Sequence, residues 1–215
     1  IPLRLVGSEM CIRDSLTTEA REASGCAMEG RGGDILQTDF AAMRNECREG
    51  LSVIGNIPYA ITSEILFLLF DNARYLDTCV LMMQREVARR LVAKPRSKDY
   101  GILTLAAEMA ADVRLLFDVK PGSFYPMPAV TSSVVHMRFR NHPTVHASLH
   151  DMRALIRSAF SQRRKTLRNA LESYVRTSYN ADVRRFDIAA LDQRAEELNI
   201  TQFEQLLNDI REQGA

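Results

Sequence analysis

Cysteine is sparse in this sequence, and long apolar runs are missing from it. The four cysteines are widely separated and form no C-x-x-C pair, so the sequence predicts neither a zinc site nor a disulfide framework. The longest apolar candidate, Ile65 to Phe70, is followed at once by Asp71 and is far shorter than the roughly 20 residues that cross a bilayer. We therefore expect reduced thiols, no membrane segment and a cytoplasmic location.

Regular periodicity is also missing from residues 1–32, where neither a helical nor a strand pattern can be followed. The segment lacks the sustained apolar core of a secretory signal. Its stretch from Leu5 to Ser15 resembles translated adapter sequence at the end of a fragmentary gene. Residues 1–32 are therefore expected to be foreign to the fold or disordered.

Basic residues are concentrated in one part of a nearly neutral chain. The net charge is +1, yet residues 151–176 contain seven basic and two acidic side chains, a local charge of +5 that leaves −4 for the remainder. The basic side chains are Arg153, Arg157, Arg163, Arg164, Lys165, Arg168 and Arg176. A basic segment on a mildly acidic body is typical of proteins that dock a polyanion.

The order of apolar segments indicates an α/β protein followed by a helical tail. Because 46% of the residues are hydrophobic and 26% are charged, the chain can bury a substantial core. Helices are expected after Thr62, which is predicted to cap the first of them, over Glu86–Val92 and over Ile102–Ala111. The predicted strands are Leu51–Ile54, Cys79–Met83, Val113–Val119 and Ser132–Phe139.

The tail, residues 151–215, is predicted to be a small all-helical domain. An apolar stripe at helical spacing runs from Leu155 to Val175, and further helices are expected over Ile188–Leu198 and Thr201–Ile210. The last of these opens with Thr201-x-x-Glu204, the pattern of a capping box.

Residues 142–150 precede this tail and carry three histidines four residues apart, His142, His146 and His150. This interval suits a metal site on a helix, but Pro143 and the polar surroundings favour a solvated linker.

Asn56-Ile57-Pro58-Tyr59 is the most informative motif, because it places an amide, a restrained backbone and an aromatic ring at the end of a predicted strand. Pro58 holds its own φ near about −65° and restricts Ile57, so the carbonyls here point in set directions. Open α/β sheets bind ligands at this edge. The plain alternative is a turn that ends the strand.

These groups suit an adenine that has left its helix. The lone pair on N6 of adenine is delocalised into the ring, so a catalyst must hold the amino group with hydrogen-bond acceptors. The Asn56 side-chain oxygen and a main-chain carbonyl can do this, and Tyr59 offers a ring for stacking. Extruding the base costs a few kcal/mol, least for an unpaired nucleotide.

Six motifs in order resemble the rRNA adenine N6,N6-dimethyltransferases, most closely the bacterial small-subunit (16S) branch, from about residue 33 to the end. The motifs are Gly33-Asp34-Ile35-Leu36, Asn56-Ile57-Pro58-Tyr59, Gln84-Arg85-Glu86-Val87, Ser97-Lys98-Asp99-Tyr100-Gly101, Phe124-x-Pro126-x-Pro128-x-Val130-x-Ser132, and the run from Phe160 to Asn169.

The resemblance implies a Rossmann-like class I S-adenosylmethionine-dependent methyltransferase sheet, with its first strands missing, and a small all-helical C-terminal domain. Residues 33–141 would be the remainder of the catalytic domain, residues 142–150 a linker, and residues 151–215 the rRNA-binding domain. A monomer that acts on small-subunit rRNA or the pre-30S ribosomal subunit is implied, with S-adenosylmethionine as methyl donor and no metal.

The resemblance also implies residue roles. Asp34 would bind the adenine amino group of S-adenosylmethionine, with Asp39 as a rival, and Asn56 would lie against the same cofactor. Asn56 and the main chain at Pro58 would hold the target N6, and the target base would lie between Tyr59 and Phe124. The RNA-binding residues would be Arg157, Arg163, Arg164, Lys165 and Arg168.

One departure from the family pattern concerns the segment before Asp34. The glycine-rich methionine-binding loop and the acidic residue for the ribose should lie upstream of Asp34, but Gly30-Arg31-Gly32-Gly33 follows no predicted strand. The 215-residue chain is therefore expected to bind S-adenosylmethionine weakly or not at all, which calorimetry would test.

Two alternative functions stay open from the sequence. The resistance methyltransferases of large-subunit rRNA share the Asn-Ile-Pro-Tyr and Phe-x-Pro-x-Pro motifs, although the run from Gln162 to Asn169 fits the small-subunit branch better. The missing cofactor loop also allows a non-catalytic rRNA-binding or ribosome-assembly module.

Overall fold

The computed structural model describes the backbone of residues 3–5 and, in full, residues 34–46, 50–140 and 145–214. The predictions for residues 1–32, apart from residues 3–5, and for the glycine-rich run before Asp34 lie outside these residues. The chain divides into two compact units, Ile1–Arg89 with Ala110–Asn141, and Arg90–Met109 with His142–Ala215.

The first unit contains a five-stranded sheet. Its strands are β1 (Leu3–Leu5), β2 (Ser52–Asn56), β3 (Thr78–Gln84), β4 (Ala111–Val119) and β5 (Ser132–Phe139), and their spatial order is β1-β2-β3-β5-β4. The pairs β1–β2 and β2–β3 are parallel, whereas β3–β5 and β5–β4 are antiparallel. The four predicted strands are thus confirmed, and β1 adds a short strand within the segment predicted to be foreign.

Helices α1 (Phe40–Glu46), α2 (Thr62–Asp71) and α3 (Arg85–Leu91) alternate with the first strands. Helix α2 buries Ile65, Leu66, Leu69 and Phe70, which lie on one face at helical spacing. The predicted capping role of Thr62 is wrong, because Ile61 is the N-cap and Thr62 is the first helical residue.

The sheet core includes the free thiol of Cys79, which is fully buried in β3. Burial raises the pKa of this thiol, because the thiolate would lose its hydration. Cys79 is therefore an inert, protonated core residue.

The second unit is helical. It contains α4 (Ile102–Ala110), α5 (Leu149–Ser161), α6 (Leu167–Ala170), α7 (Glu172–Tyr179) and α8 (Ile200–Gly214). The predicted apolar stripe from Leu155 to Val175 is therefore divided among three helices, because the chain leaves helical geometry at Gln162, where φ is −127° and ψ is 59°. The sequence had placed residues 90–109 with the sheet, but in the structure they pack with the C-terminal helices.

The predicted helix over Ile188–Leu198 is wrong. Two short 3-10 turns, Ala189–Asp192 and Ala195–Glu197, occupy this stretch. Gln193 and Arg194 between them are extended, because the Gln193 carbonyl accepts a hydrogen bond from the Leu167 amide and Arg194 forms a bridge with Thr166. A tertiary contact thus overrides local helical periodicity.

The predicted capping box at the start of α8 is also wrong by two residues. Asn199 and Gln202 exchange side-chain hydrogen bonds with each other's amides, both at 2.9 Å. Glu204 instead accepts hydrogen bonds from the amides of His146 and Ala147. The carboxylate of Glu204 therefore ties the middle of the predicted linker to the last helix.

Tyr100 lies at the centre of the second unit's core and is fully buried. Its hydroxyl donates a hydrogen bond of 2.8 Å to the Leu198 carbonyl. Its ring lies 6.4 Å from that of Phe160, which in turn lies 6.2 Å from the ring of Phe203. Burial is the main cause that raises the pKa of the Tyr100 hydroxyl, with the Glu108 carboxylate adding to it.

Among the described helices, none combines the length and the apolar character needed to cross a bilayer.

Candidate active site

The Asn56–Tyr59 turn lies at the carboxyl end of β2, as the sequence predicted. Asn56 is the last residue of the strand and is exposed, while Ile57 is buried and its amide donates a hydrogen bond of 3.0 Å to the Met82 carbonyl on β3. Pro58 then leads into a 3-10 turn over Tyr59–Ile61. The strand and its neighbour thus fix the backbone while the Asn56 amide faces solvent.

The Pro58 carbonyl is already engaged by the first turn of α2. It accepts a hydrogen bond of 3.3 Å from the Ile61 amide and one of 3.1 Å from the Thr62 hydroxyl. These two bonds use both lone pairs of the oxygen. Among the described residues none donates to the Ile57 carbonyl, so this oxygen is an unengaged main-chain acceptor next to Asn56, and the role assigned to the main chain at Pro58 stays a prediction.

Tyr59 is held by Ser132, for which the sequence motifs predicted no role. Its hydroxyl forms a hydrogen bond of 2.8 Å with the hydroxyl of Ser132, the first residue of β5, which is fully buried. Next to Ser132, the Thr131 carbonyl accepts a hydrogen bond from the Arg85 amide. The signal was present in the sequence, because Ser132 ends the Phe-x-Pro-x-Pro-x-Val-x-Ser motif.

The Phe124 loop runs from a 3-10 turn at Pro121–Ser123 to β5. Phe124 is half-buried and its amide donates to the Pro121 carbonyl, while Tyr125 is fully exposed. Within the described residues no ring contact joins Phe124 to Tyr59. Ser132 therefore connects the end of the Phe124 loop with the Asn56–Tyr59 turn.

The hydrogen bond between the Tyr59 and Ser132 hydroxyls should couple the effects of the two residues on the free energy of unfolding. Tyr59→Phe and Ser132→Ala each remove the same hydrogen bond. The double variant therefore loses this bond only once, so the two single effects on stability should not add. We expect a coupling free energy of about 0.5–1.5 kcal/mol in a double-mutant cycle of urea unfolding. Additive single effects would contradict a direct bond, and Ser133→Ala, which breaks the separate Ser133–Asp118 bond, should show no coupling to Tyr59→Phe.

The two candidate cofactor carboxylates have similar surroundings. Asp34 is exposed and accepts a hydrogen bond of 3.0 Å from the Leu36 amide, and Asp39 is exposed and accepts one of 3.0 Å from the Ala42 amide. Asp34 caps a 3-10 turn and Asp39 accepts from the first turn of α1, and the second oxygen of each carboxylate has no hydrogen bond to a described residue. Exposure and hydrogen bonding therefore do not favour Asp34 over Asp39 as the cofactor carboxylate.

The predicted RNA-binding residues fall into two groups. Arg163 and Arg168 are half-buried and make contacts within the second unit. Arg163 donates hydrogen bonds to the Glu196 carboxylate and the Ser97 carbonyl. Arg168 donates hydrogen bonds to the Asp192 carboxylate and to two main-chain carbonyls. In contrast, the exposed side chains of the other three have no ion pair or hydrogen bond to a described residue; these are Arg157, Arg164 and Lys165. The charges of Arg163 and Arg168 are thus shared with internal carboxylates, whereas those of the second group are not, and the RNA-binding roles of all five stay predictions.

No group of three or more His, Cys, Asp or Glu side chains that could hold a metal ion occurs in the described part of the chain. His146 and His150 are both exposed, and the imidazole of His150 lies 3.2 Å from the Asp151 carboxylate. His142 lies outside the described residues.

A mixed sheet with helices and a polar, proline-stiffened turn at the carboxyl end of a parallel strand defines an α/β protein with the class I methyltransferase fold. This confirms the predicted fold class. Among solved structures, the chain resembles a dimethyladenosine transferase from Plasmodium falciparum with a TM-score of 0.74 and 23% identity, over 87% of this chain and 74% of that one.

The chain belongs to the ribosomal RNA adenine dimethylase family, whose sequence model matches residues 15–212. The matched range includes residues 15–32, part of the segment predicted to be foreign. The family assignment made from the six motifs is thus confirmed, and with it an enzyme family of methyltransferases.

Two relatives illustrate the similarity. The chain is 42% identical over 178 residues to ribosomal RNA small subunit methyltransferase A of Prosthecochloris aestuarii, covering 83% of this chain and 65% of that protein. It is 43% identical over 182 residues to the protein of the same name from Chlorobium phaeobacteroides, covering 83% of this chain and 63% of that one. The chain thus spans less than two thirds of the length of these relatives.

Proposed function

We propose that this protein transfers methyl groups from S-adenosylmethionine to N6 of two adjacent adenines in a small-subunit rRNA hairpin during ribosome assembly. The observation that carries the proposal is the exposed Asn56 amide beside the unbonded Ile57 carbonyl, next to a Tyr59 ring that Ser132 ties to the Phe124 loop. The names of the relatives, which are small-subunit methyltransferases, support the choice of substrate.

Hydrogen bonding and stacking of the target base are assigned to different residues. The Asn56 side-chain oxygen and the Ile57 carbonyl each accept one N6 hydrogen, which turns the nitrogen lone pair towards the methyl donor. Tyr59 and Phe124 stack on the two faces of the base, at about 1–3 kcal/mol per stacking contact. Because the carbonyls are fixed by β2, β3 and Pro58, little reorganisation is needed, and the rate enhancement comes mainly from positioning.

Two described residues, Asp34 and Asn56, fit part of a sulfonium cofactor with an adenosyl group, and the weak affinity expected from the sequence means that the cofactor must be supplied at a saturating concentration. An exposed carboxylate, Asp34, is the acceptor we assign to the cofactor's adenine amino group, and Asn56 at the end of β2 would lie against the same cofactor. S-adenosylmethionine would supply an electrophilic methyl carbon, which bonds to N6 as its bond to sulfur breaks. The N6 nitrogen then loses one proton to solvent. The second transfer repeats this step on the monomethylated base.

The RNA contacts of the second unit come from the exposed cations Arg157, Arg164 and Lys165. Arginine and lysine near phosphates release bound counterions, so the affinity falls as salt rises. Arg163 and Arg168 contribute by holding these cations in place rather than by contacting phosphate. The proposed partner is the pre-30S subunit in the cytoplasm, bound by a monomer.

A methyl-transfer assay with two RNA hairpins tests the proposal. The protein is incubated with labelled S-adenosylmethionine at saturating concentration and a hairpin from either small-subunit or large-subunit rRNA. We expect label in N6-dimethyladenosine after digestion of the small-subunit hairpin. Label only in the large-subunit hairpin would instead favour the resistance type, and tight RNA binding without label would favour a non-catalytic assembly module.

A further inference from the structure

A basic loop of the second unit, residues 94–101, has no role in the proposed chemistry although it contains the motif Ser97-Lys98-Asp99-Tyr100-Gly101. Its side chains Lys94, Arg96 and Lys98 are exposed, against a single acidic residue, Asp99. An exposed loop of this kind is expected to be mobile unless contacts hold it.

Several contacts do hold this loop against the C-terminal turns. The Arg96 amide donates a hydrogen bond of 2.7 Å to the Glu196 carbonyl, and the Ser97 carbonyl accepts one of 3.1 Å from the Arg163 guanidinium. At the end of the loop, the hydroxyl of buried Tyr100 binds the Leu198 carbonyl. The loop is thus fixed from its middle to its end.

Arg163 is the centre of this arrangement. While one nitrogen binds the loop, its Nε donates a hydrogen bond of 2.8 Å to the Glu196 carboxylate. The charge of Arg163 is therefore neutralised inside the unit. The next two residues, Arg164 and Lys165, are exposed and have no partner among the described residues.

Arg96 has a φ of 68°, in the left-handed region that is costly for a residue other than glycine. Such a conformation costs on the order of 1 kcal/mol and persists only where surrounding contacts impose it. Here the bond from the Arg96 amide to Glu196 imposes it. The consequence is that Lys94 and Lys98 lie on a preorganised turn rather than on a mobile chain.

The bond from Arg163 to the Ser97 carbonyl links the two basic segments of the second unit. Ser97 touches Arg163, and consecutive Cα atoms are about 3.8 Å apart, so Lys98 and Arg164 each lie one residue from this contact. Fixed neighbouring ammonium and guanidinium groups bind phosphates with little loss of side-chain and loop entropy. A sugar–phosphate chain presents a row of such anions, whereas an isolated anion would need only one of the two sets.

We propose that Lys94 and Lys98 bind RNA phosphates as a second contact element, alongside Arg164 and Lys165, and that Arg163 is the positioning residue that joins the two. This inference rests on the proposed function, because it takes RNA as the ligand. It adds the loop of residues 94–101 to an RNA surface otherwise confined to the C-terminal helices.

The first test replaces both lysines, Lys94→Gln with Lys98→Gln, and measures the affinity for the small-subunit hairpin over a range of salt concentrations. Each lost phosphate contact should lower the slope of log K against log salt by about 0.7 to 0.9, so the pair should lower it by about twice that amount. The matched control is Arg176→Gln with Arg185→Gln, which removes the same charge at exposed positions and should change the slope by less than half as much.

A second test separates a fixed loop from simple net charge. Glu196→Ala removes a negative charge, so a binding mode that depends only on net charge predicts tighter RNA binding. The proposal predicts weaker binding, because Arg163, which holds the loop through the Ser97 carbonyl, loses its carboxylate partner while the main-chain bond from Arg96 to residue 196 is kept. Circular dichroism checks that the variant is folded; if Glu196→Ala does not fold, the exposed lysine pair still decides the question.

The outcomes distinguish the two proposals. If Arg164→Gln with Lys165→Gln lowers the slope but the Lys94/Lys98 pair leaves it unchanged, the loop does not contact RNA and the inference is overturned. If the unaltered protein shows no salt-dependent binding to the hairpin, the proposed function itself fails.

Discussion

Replacing Tyr100 with alanine should lower the free energy of unfolding of the second unit by about 3–5 kcal/mol. Tyr100 stands at the end of the loop of residues 94–101, and its ring is fully buried in the core of the second unit. The centroid of this ring lies 6.4 Å from that of the Phe160 ring. Its hydroxyl also satisfies the Leu198 carbonyl. Urea unfolding followed by circular dichroism measures the effect, and Tyr100→Phe, which leaves that carbonyl unpaired, should cost about 1–3 kcal/mol.

Tyr125 provides the matched control. It is the same residue type but fully exposed in the Phe124 loop, so Tyr125→Ala should change the free energy of unfolding by no more than about 0.5 kcal/mol. Equal losses for Tyr100→Ala and Tyr125→Ala would contradict the placement of residues 90–109 with the C-terminal helices.

Asn56→Ala should reduce the rate of methyl transfer by about 100-fold or more. The side-chain oxygen of Asn56 is assigned to hold the N6 amino group as the nitrogen develops positive charge, and losing one such preorganised hydrogen bond costs roughly 10²–10³ in rate in comparable sites. Because Asn56 is exposed at the end of β2, the change should leave the fold intact. Single-turnover transfer of labelled methyl groups to the small-subunit hairpin measures it.

The control for this change is Asn208→Ala, which removes an exposed amide from α8 and should leave the rate unchanged. An Asn56→Ala protein that keeps its transfer rate, with an unchanged unfolding curve, would show that another group holds N6.

The strands of the sheet could be predicted because each has a recognisable apolar pattern within its own sequence. Val135, Met137 and Phe139 alternate with more exposed residues, and β5 has the bounds that this alternation predicts. The continuous apolar run in β3 likewise predicted a strand, in which Cys79, Leu81 and Met83 are buried and alternate with partly exposed residues. The position of Asn56 at a strand end followed from the same pattern.

The errors lie where distant contacts decide the local structure. The helix predicted over Ile188–Leu198 is broken by the contacts of Gln193 and Arg194 with a segment some 27 residues away, Thr166–Leu167. Glu204 looked like a capping residue but binds the amides of residues 146–147. No local periodicity reports such partners.

A basic run in a sequence likewise does not show which of its side chains are paired with carboxylates inside the fold. Arg163 and Arg168 stand in the same basic run as Arg164 and Lys165, yet the first two have internal carboxylate partners more than twenty residues away. The roles assigned to Asp34, Tyr59 and Phe124 stay predictions, because they depend on ligands. Ser132 shows the reverse case, since the motif contained it and only the 2.8 Å bond to Tyr59 indicates what it does.

The central claim is that the Asn56–Tyr59 turn binds the amino group of an unpaired adenine. The most direct measurement compares the affinity for a hairpin with adjacent unpaired adenines and for one in which purine, which lacks the amino group, replaces them. The unaltered protein should prefer adenine by about 1–3 kcal/mol, or roughly 5- to 150-fold, and Asn56→Ala should lose most of this preference. Equal preference in the two proteins, or none in either, would contradict the account.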